Sequence, residues 1–459
     1  MQKICRNSNK PRIKSSRRFV PEYIELMKLG FPVLLTQLGV IMMAFADTMM
    51  VGAYGTGELA AAAFVNSMFL IPMVMLTGLA NGITPLVGAL LSLGDHAETG
   101  RITRAGLQIN AIVSILFTVV MTVIYFFLDC FGQPEEILPM ARNYYITLLT
   151  TLLPISLFNA FVQTSNGLTD TRSPMWFVLG AIALNILGNW LLIFGKCGFP
   201  ELGLTGAGIA TSVARFAGLV GIFVMYRRAR RYKPLRQTLF HPGNLGRQRR
   251  KVWNTSYPVM IQTGIECLLW SFGAVVCGWF GKIQLAAYQI VNTIGQIGFM
   301  TYMSFGVAVS IRVANFCGLG DEQEAGTTAR AGFHLNLVLA TVASLVLWFM
   351  AHQLLGLFTP DAQVVAAGEL LIVPLVLYQY LDAAQLTFIN AIRGTSQVKP
   401  LLWIAIISYL VVGVPALLLF AETFRWESVG VYYSFNVALL CAAILAAIVF
   451  RRTHIPEHP

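Results

Sequence analysis

The chain has 459 residues, of which 56% are hydrophobic and only 12% are charged, whereas about 25% of residues are charged in soluble globular domains. With a mean hydropathy of +0.68, the composition excludes a water-soluble globule and predicts an all-α polytopic membrane protein. The net charge of +11 does not indicate a nucleic-acid-binding protein, because the cations cluster in a few loops between long apolar runs.

Twelve apolar runs are long enough to cross roughly 30 Å of hydrocarbon as helices. Six precede and six follow a long basic connector, and the other loops are short. The pattern therefore predicts twelve transmembrane helices. The runs cover residues 28–52, 58–92, 101–128, 137–165, 173–195, 203–226, 252–280, 284–318, 326–350, 363–391, 399–421 and 427–450.

The position of the basic connector divides the chain into five parts. We expect no cleaved signal peptide, because no signal-peptide pattern precedes the first run. The parts are a cytoplasmic basic tail (1–27), an N-terminal six-helix lobe (28–226), a cytoplasmic basic linker (227–251), a C-terminal six-helix lobe (252–450) and a cytoplasmic tail (451–459).

The two halves of the chain repeat one another. Residues 32–66 align without a gap with residues 258–292, at a constant offset of 226 residues. Chance does not hold such a register, so the repeat predicts two homologous lobes. Identical pairs at this offset include Pro32 with Pro258, Gly52 with Gly278, Val65 with Val291, Asn66 with Asn292, and Asn110 with Asn336.

The cations are distributed unequally between the two sides of the predicted membrane. The tails, the linker and the loops of one side carry 26 Lys and Arg residues, whereas the loops of the other side carry four. By the positive-inside rule, both termini and the linker face the cytoplasm. We expect the membrane to be a bacterial inner membrane. Each half then has an even number of spans and the same orientation, which predicts a parallel repeat with a central cavity between the lobes.

Three carboxylates lie inside predicted helices. A carboxylate at the centre of a membrane costs about 2.5 to 3.5 kcal/mol, so each needs a partner, a proton, an ion or water. Glu266 lies deep in the seventh helix, and Asp47 lies toward the outer end of the first. Asp382 lies three residues from both Gln379 and Gln385. Helix packing could explain each acid, but no lysine is buried near Glu266 or Asp382, and we favour a bound cation or a proton there.

Other polar residues inside the helices form a second group. Asn185 and Asn189 are one helical turn apart and share a face of the fifth helix. With Asp47 they could coordinate a cation, although helix packing uses asparagines equally often. Arg215, in the middle of the sixth helix, could neutralise an acid, and we expect Arg312, near the end of the eighth, to snorkel to the membrane surface.

Several motifs together carry a resemblance to a known family. They are AFADTMMVGAYG at the end of the first helix, LNILGNWLLIFG followed by PELGLTGAGIATS, and the acids Glu266 and Asp382. With these motifs and its two six-helix halves, the chain resembles the multidrug and toxic compound extrusion (MATE) family, specifically its NorM-type branch, from about Pro21 to Phe450.

The resemblance implies roles for individual residues. The implied coupling ion, Na⁺ or H⁺, would bind in one lobe or the other. Some NorM-type relatives carry a tyrosine where this chain has Phe299, with Tyr302 about one turn further on. The residues that match family positions are Asp47, Asn185, Asn189 and Thr211 in the N-terminal lobe, Glu266 and Asp382 in the C-terminal lobe, and Pro32, where the family's first helix bends.

The function that the resemblance implies is multidrug efflux. The chain would be a secondary active antiporter that exports cationic amphipathic organic compounds against Na⁺ or H⁺ by alternating access. We expect a monomer in membrane lipid, without a cofactor, a nucleic-acid partner or enzyme activity. Aromatic side chains in the cavity could make cation–π contacts, although packing is the commoner role of any one of them. The candidate substrate-cavity residues are Trp270, Phe299, Tyr302, Tyr378, Gln379 and Gln385.

Other functions are less well supported. A flippase for lipid-linked oligosaccharides or lipids, from the same superfamily, should have a strongly cationic cavity for pyrophosphate, whereas the candidates here are acidic. A major-facilitator-type transporter would carry a basic signature between its second and third helices, which is missing. A membrane enzyme would need catalytic carboxylates or metal ligands at a membrane face.

The seven cysteines include no CxxC motif. Whether Cys130 and Cys197 form a disulfide is left open by the sequence.

The predicted topology is testable by cysteine labelling. In a variant without native cysteines, single cysteines at Lys14 and Arg236 should react with a membrane-impermeant maleimide only after the cells are permeabilised. The reason is that both positions lie in basic segments, which the positive-inside rule assigns to the cytoplasm. Labelling of either cysteine in intact cells would contradict the even number of spans.

Overall fold

The computed structural model describes residues 15–240 and 243–453. Lys14, Cys5 and the last residues of the C-terminal tail therefore lie outside the described residues. Within these ranges the chain forms helices and no strands, and twelve helices are long and apolar enough to cross a membrane. The prediction of an all-α polytopic membrane protein with twelve transmembrane helices is confirmed.

The helices follow the predicted apolar runs, except that the run predicted at 363–391 forms two helices, Ala362–Leu370 and Ile372–Gly394. The twelve helices are α1 (Ser15–Tyr54), α2 (Thr56–Ser92), α3 (His96–Tyr125), α4 (Leu138–Gly167), α5 (Arg172–Ile193), α6 (Gly203–Arg228), α7 (Gly246–Trp279), α8 (Lys282–Gly318), α9 (Glu322–Gly356), α10 (Ile372–Gly394), α11 (Lys399–Thr423) and α12 (Glu427–Arg452). Two short helices, Lys233–Phe240 in the linker and Ala362–Leu370 before α10, complete the helical segments used below.

Local irregularities occur at a few points in these helices. α2 is interrupted at Gly82, whereas α1 is assigned as one continuous helix through Pro32. α11 contains two π-helical segments, Ile406–Gly413 and Leu419–Thr423. π-helical turns are uncommon and are often found at functional sites, and the first of these segments supplies a residue to the site described below.

Each set of six helices surrounds its own apolar core. In the N-terminal lobe, α1–α6, the ring centroids of Phe69 on α2 and Tyr145 on α4 lie 4.9 Å apart. In the C-terminal lobe, α7–α12, those of Trp270 on α7 and Phe435 on α12 lie 4.2 Å apart. Large apolar side chains also cover the outside, where Phe349 is 74% exposed. Such a surface is unfavourable in water and suits contact with lipid.

Polar contacts identify the end of the helix bundle at which the basic linker lies. Gln248, at the start of α7, donates to Glu98, at the start of α3, over 3.1 Å. Tyr232 of the linker donates to Asp170, in the loop between α4 and α5, over 2.8 Å. We call this end the linker end and the opposite end the far end. Cys130 and Cys197 lie in loops of the far end as exposed free thiols.

The two lobes touch closely near the linker end. A Cβ added to Gly82 of α2 would lie 2.6 Å from the Cα of Ser256 on α7. A Cβ added to Gly318 of α8 would lie 2.8 Å from the Cα of Ala89 on α2. Only glycine permits backbones to approach so closely, so these positions join the lobes at the linker end.

The start of α1 is also bound to the other lobe. Glu22 is buried and accepts hydrogen bonds from Arg312 of α8 and, over 2.8 Å, from Thr328 of α9. Beside it, the Tyr23 hydroxyl lies 3.0 Å from Nδ1 of His334. Arg312, which we expected to snorkel to the membrane surface, is partly exposed and pairs with this carboxylate of α1.

We predict that Glu22→Ala destabilises the protein by about 2 kcal/mol, because removing one partner of a largely buried ion pair leaves the other charge unpaired. The melting temperature of the purified protein in detergent measures this effect. Glu25→Ala on the same helix is the matched control, since its pair with Lys28 is exposed and such pairs contribute little. Equal melting temperatures for the two variants would contradict the role assigned to Glu22.

Candidate functional site

Four polar residues of the N-terminal lobe form one chain of hydrogen bonds. Asn189 of α5 donates to the Asp47 carboxylate of α1 over 2.5 Å and lies 3.4 Å from Oδ1 of Asn185, one turn earlier. Asn185 in turn donates to the Thr211 hydroxyl of α6 over 3.0 Å. The residues selected from the sequence in this lobe therefore lie together, between three helices.

The burial of this chain suits an oxygen-ligand site. Asn185 and Asn189 are completely buried, and Oδ1 of Asn189 has no hydrogen-bond partner among the described residues. Carboxylate, amide and hydroxyl oxygens are the ligands that hard cations prefer. No group of three or more His, Cys, Asp or Glu side chains suited to a transition metal occurs in the described part of the chain. The donor set therefore fits Na⁺ better than a soft metal ion.

Two further residues of this lobe belong to the surroundings of Asp47. The Tyr144 hydroxyl donates to Asn66 over 3.3 Å, and both Tyr144 and Arg215 are close enough to Asp47 to interact with it electrostatically. The sequence analysis noted Arg215 but not Tyr144. The sequence feature that could have indicated this region is Asn66, the partner of Tyr144, because it recurs as Asn292 at the repeat offset.

In the C-terminal lobe, Glu266 is the centre of a second network. Its carboxylate accepts from Gln262, one turn earlier on α7, over 2.9 Å, and lies 3.4 Å from Nε2 of Gln385 on α10. The same amide of Gln385 lies 2.7 Å from the hydroxyl of Tyr409. Tyr409 comes from the first π-helical segment of α11, and nothing in the sequence pattern distinguished it.

A buried arginine completes this network. The guanidinium of Arg393 donates to Oε1 of Gln262 over 2.7 Å, so Gln262 bridges Arg393 and Glu266. The sequence analysis counted Arg393 among the loop cations, but it is only 4% exposed in the last turn of α10. The C-terminal lobe therefore contains a buried positive charge that the search for buried lysines did not find.

Asp382 differs from Glu266 because it lacks partners. It is completely buried, and neither of its carboxylate oxygens has a hydrogen-bond partner among the described residues. Glu266 and Tyr302 are close enough to interact with it electrostatically. An ionised carboxylate in a membrane interior is costly without compensation, so Asp382 is a candidate for binding a proton or a cation.

The residues predicted to line a substrate cavity lie in packed regions of the C-terminal lobe. The Trp270 ring lies 5.5 Å from that of Tyr378 and packs into the lobe's core. Tyr302 donates to Gln379 over 2.8 Å, and Phe299 packs beside Tyr302. Tyr302, rather than Phe299, is thus the residue of α8 that enters the polar cluster.

A cavity of about 360 Å³ lies instead in the N-terminal lobe. None of the six predicted cavity residues lines it. Its wall is mainly apolar and includes two members of the hydrogen-bonded chain, Asn185 and Thr211. α8 of the other lobe closes one side with Met303 and Val307. The volume is within the range of small-molecule sites.

Comparison with a protein-family model identifies the class. The model named MatE matches the chain twice, over residues 32–191 and 258–419. These segments cover more than half of the chain and begin at the two positions at which the internal repeat begins. The chain therefore belongs to the MatE family, a family of multi-pass membrane transporters.

Individual proteins agree with this assignment. The chain is 27% identical over 425 residues to a probable multidrug resistance protein NorM of Oceanobacillus iheyensis, covering 91% of this chain and 94% of the relative. Its fold is similar to that of the eukaryotic MATE transporter AtDTX14, with a TM-score of 0.87 at 18% identity over 95% of this chain and 97% of the other. A MOP-superfamily transporter from Pyrococcus furiosus gives a TM-score of 0.84 at 18% identity, over 96% and 98%.

We predict that Asp382→Asn raises the melting temperature of the purified protein by a few degrees in Na⁺-free buffer at pH 8, because it removes an unpartnered buried carboxylate. Glu266→Gln is the matched comparison and should not raise it, since Gln262 and Gln385 already surround that carboxylate. If Asp382→Asn is instead the less stable of the two variants, the Asp382 carboxylate has a stabilising partner. That result would contradict the description of Asp382 as unpartnered.

Proposed function

We propose that the chain is a secondary active multidrug exporter, which antiports cationic amphipathic organic compounds against Na⁺ or H⁺ by alternating access. The observation that carries the proposal is the unpartnered carboxylate of Asp382 beside the hydrogen-bonded carboxylate of Glu266. Two acids in the interior of a transporter lobe attract a cation. The name of the NorM relative, a probable multidrug resistance protein, supports drugs as the cargo.

The coupling step is competition between two cations. An ionised Asp382 favours an organic cation in its surroundings, and entry of Na⁺ or H⁺ cancels that attraction. The ion can shift the transporter only by the difference between its affinities for the two conformations. Gln262, Gln385 and Tyr409 hold Glu266 in place during this exchange. The chain Asp47–Asn189–Asn185–Thr211 is a second candidate for the ion.

The lobe contacts suggest how access alternates. Close approach through Gly82 and Gly318, and the binding of Glu22 to Arg312, join the lobes near the linker end. In the proposed orientation this end faces the cytoplasm of a bacterial cell, with both termini on the same side. Separation of these contacts would then open the protein inward, by rocking of one lobe against the other.

A flippase for a lipid pyrophosphate is a weaker candidate. The buried ionic groups of the C-terminal lobe are two acids, Glu266 and Asp382, and one arginine, Arg393, which is already bound to Gln262. A doubly charged pyrophosphate needs several cations in one place. We also propose that the chain has no enzyme activity and no cofactor and acts as a monomer.

We predict that Glu266→Gln inserts at normal abundance but fails to drive export under either ion gradient, because it removes a cation-binding charge while preserving volume and most hydrogen bonding. Uptake of radiolabelled tetraphenylphosphonium into everted vesicles, once with a Na⁺ gradient and once with a pH gradient, measures this and identifies the coupling ion. Glu369→Gln, at an exposed carboxylate, is the control. Uptake at the wild-type rate by Glu266→Gln would show that the coupling charge is that of Asp382 alone or of Asp47.

We predict that Asp47→Asn lowers uptake in the same vesicles at least about 10-fold while membrane abundance stays near wild type. The hydrogen bond to Asn189 can persist, but the charge that would attract a coupling ion is lost. Asp129→Asn serves as the control, because its pair with Arg142 is exposed. Normal export by Asp47→Asn would leave Asp47 with a packing role only.

A further inference from the structure

A second pocket, of about 390 Å³, lies at the linker end where the two lobes meet. Within the described part of the chain, its wall comes from α1, the loop between α4 and α5 with the start of α5, the linker and α8, and Leu29 is its one apolar residue. It shares only Thr171 with the cavity of the N-terminal lobe. We call it the seam pocket, and its charged residues are Glu25, Lys28, Asp170, Arg172, Arg231 and Arg312.

The carboxylate of Asp170 is already bound inside the protein. It is only 5% exposed and accepts hydrogen bonds from the Tyr232 hydroxyl over 2.8 Å and from the hydroxyl of Ser173, also over 2.8 Å. Nη1 of Arg231 lies 3.7 Å from it. Four cations line the seam pocket, so they outnumber the carboxylates even when the nearby Glu22 is counted. The seam pocket therefore has an excess of positive charge.

The arginines of the seam pocket retain N–H donors for a ligand. Arg172 is exposed and has no hydrogen-bond or ion-pair partner among the described residues. Arg312 uses Nε and Nη2 in its pair with Glu22, which leaves Nη1. Arg231 donates through Nη2 to the carbonyl oxygen of Leu168 over 3.1 Å, which leaves Nε. Because each guanidinium has five N–H donors, arginines from three parts of the fold can donate to one ligand.

The number of cations selects the chemistry of the ligand. One guanidinium is enough for a carboxylate, whereas a phosphate has more acceptor oxygens and is bound well where several cations converge. Lys28, whose pair with Glu25 is exposed, adds an ammonium group. Basic pockets between transmembrane helices on the cytoplasmic side also bind the head groups of anionic lipids. A phosphate group therefore matches the charge, the donors and the mainly polar wall of the seam pocket.

We propose that the seam pocket binds a phosphate group, of an anionic phospholipid or of a soluble phosphate compound, which joins the two lobes and stabilises the closed linker end. Arg172 belongs to the N-terminal lobe and Arg312 to the C-terminal lobe. Separation of the lobes at this end would therefore break contacts of the ligand on one side. A ligand that binds the closed form better shifts the equilibrium toward it by the difference in affinity. The phosphate regulates the transporter and is not its cargo.

Melting temperatures of the purified full-length protein in detergent test the binding. Inorganic phosphate is compared with potassium chloride of equal ionic strength, and phosphatidylglycerol in mixed micelles is compared with phosphatidylcholine. A ligand of the folded state raises the melting temperature, and we expect an increase of a few degrees for wild type with at least one of the two probes. Combined Arg172→Gln and Arg231→Gln should abolish the increase. Combined Arg228→Gln and Arg250→Gln removes the same charge at exposed positions of the linker end and should retain it.

The two probes distinguish the sources of the phosphate. An increase with inorganic phosphate assigns the seam pocket to soluble phosphate compounds, and an increase with phosphatidylglycerol alone assigns it to lipid head groups. No increase for wild type with either probe would overturn the proposal. An equal increase in the two double variants would also overturn it, because the effect would then be a general one of surface charge.

Cysteine labelling tests whether the ligand closes the linker end. Ser256 of α7 is completely buried against Gly82 of α2, so a single cysteine at this position of a cysteine-free variant reacts with N-ethylmaleimide only when the lobes separate. The stabilising probe should slow this reaction at least about 2-fold, because it favours the closed form. It should not slow it when Arg172→Gln and Arg231→Gln are also present. An unchanged rate in the first variant would overturn the joining of the lobes. Neither experiment uses a drug or an ion gradient, so a failure of the proposed export function would leave both results unaffected.

Discussion

The compensation of charge inside the membrane is the constraint on which this structure depends. An ionic side chain at this depth needs a partner, and the buried ionic groups differ in the partners they have. Arg312 has Glu22, and Arg393 is bound to Gln262. Asp382 has none among the described residues, whereas Arg215 contacts a hydroxyl and a sulfur and interacts electrostatically with Asp47. The compensated charges join helices, and the Asp382 carboxylate is the group most available to an ion.

The repeated scaffold does not repeat these charges. At the offset of 226 residues, Glu266 corresponds to Val40, and Asp47 corresponds to Gly273. A symmetric fold needs equivalent glycines and prolines at its turns and helix contacts, but it does not need charges in one half only. The asymmetry is therefore better explained by different chemistry in the two lobes than by packing.

The sequence predicted the fold and part of the candidate site for physical reasons. The number of helices follows from the number of apolar runs. A spacing of four residues places Asn185 and Asn189 on one helix face, so this part of the site could also be predicted from the sequence. Tyr409 could not, because its position depends on a π-helical segment. Arg393 was counted as a loop cation because the predicted apolar run ends at residue 391, whereas the helix continues to Gly394. The contact of Glu22 with Arg312 joins residues 290 positions apart, and no local pattern reports such a pair.

The distribution of charge bears on how one protein can accept different substrates. In the C-terminal lobe, Glu266 and Asp382 outnumber Arg393, so that interior is negative on balance when both acids are ionised. In the N-terminal lobe, Arg215 offsets Asp47, and only the arginine borders the cavity. Because fields inside a low-dielectric interior are weakly screened, the charges of each lobe act mainly on groups within that lobe.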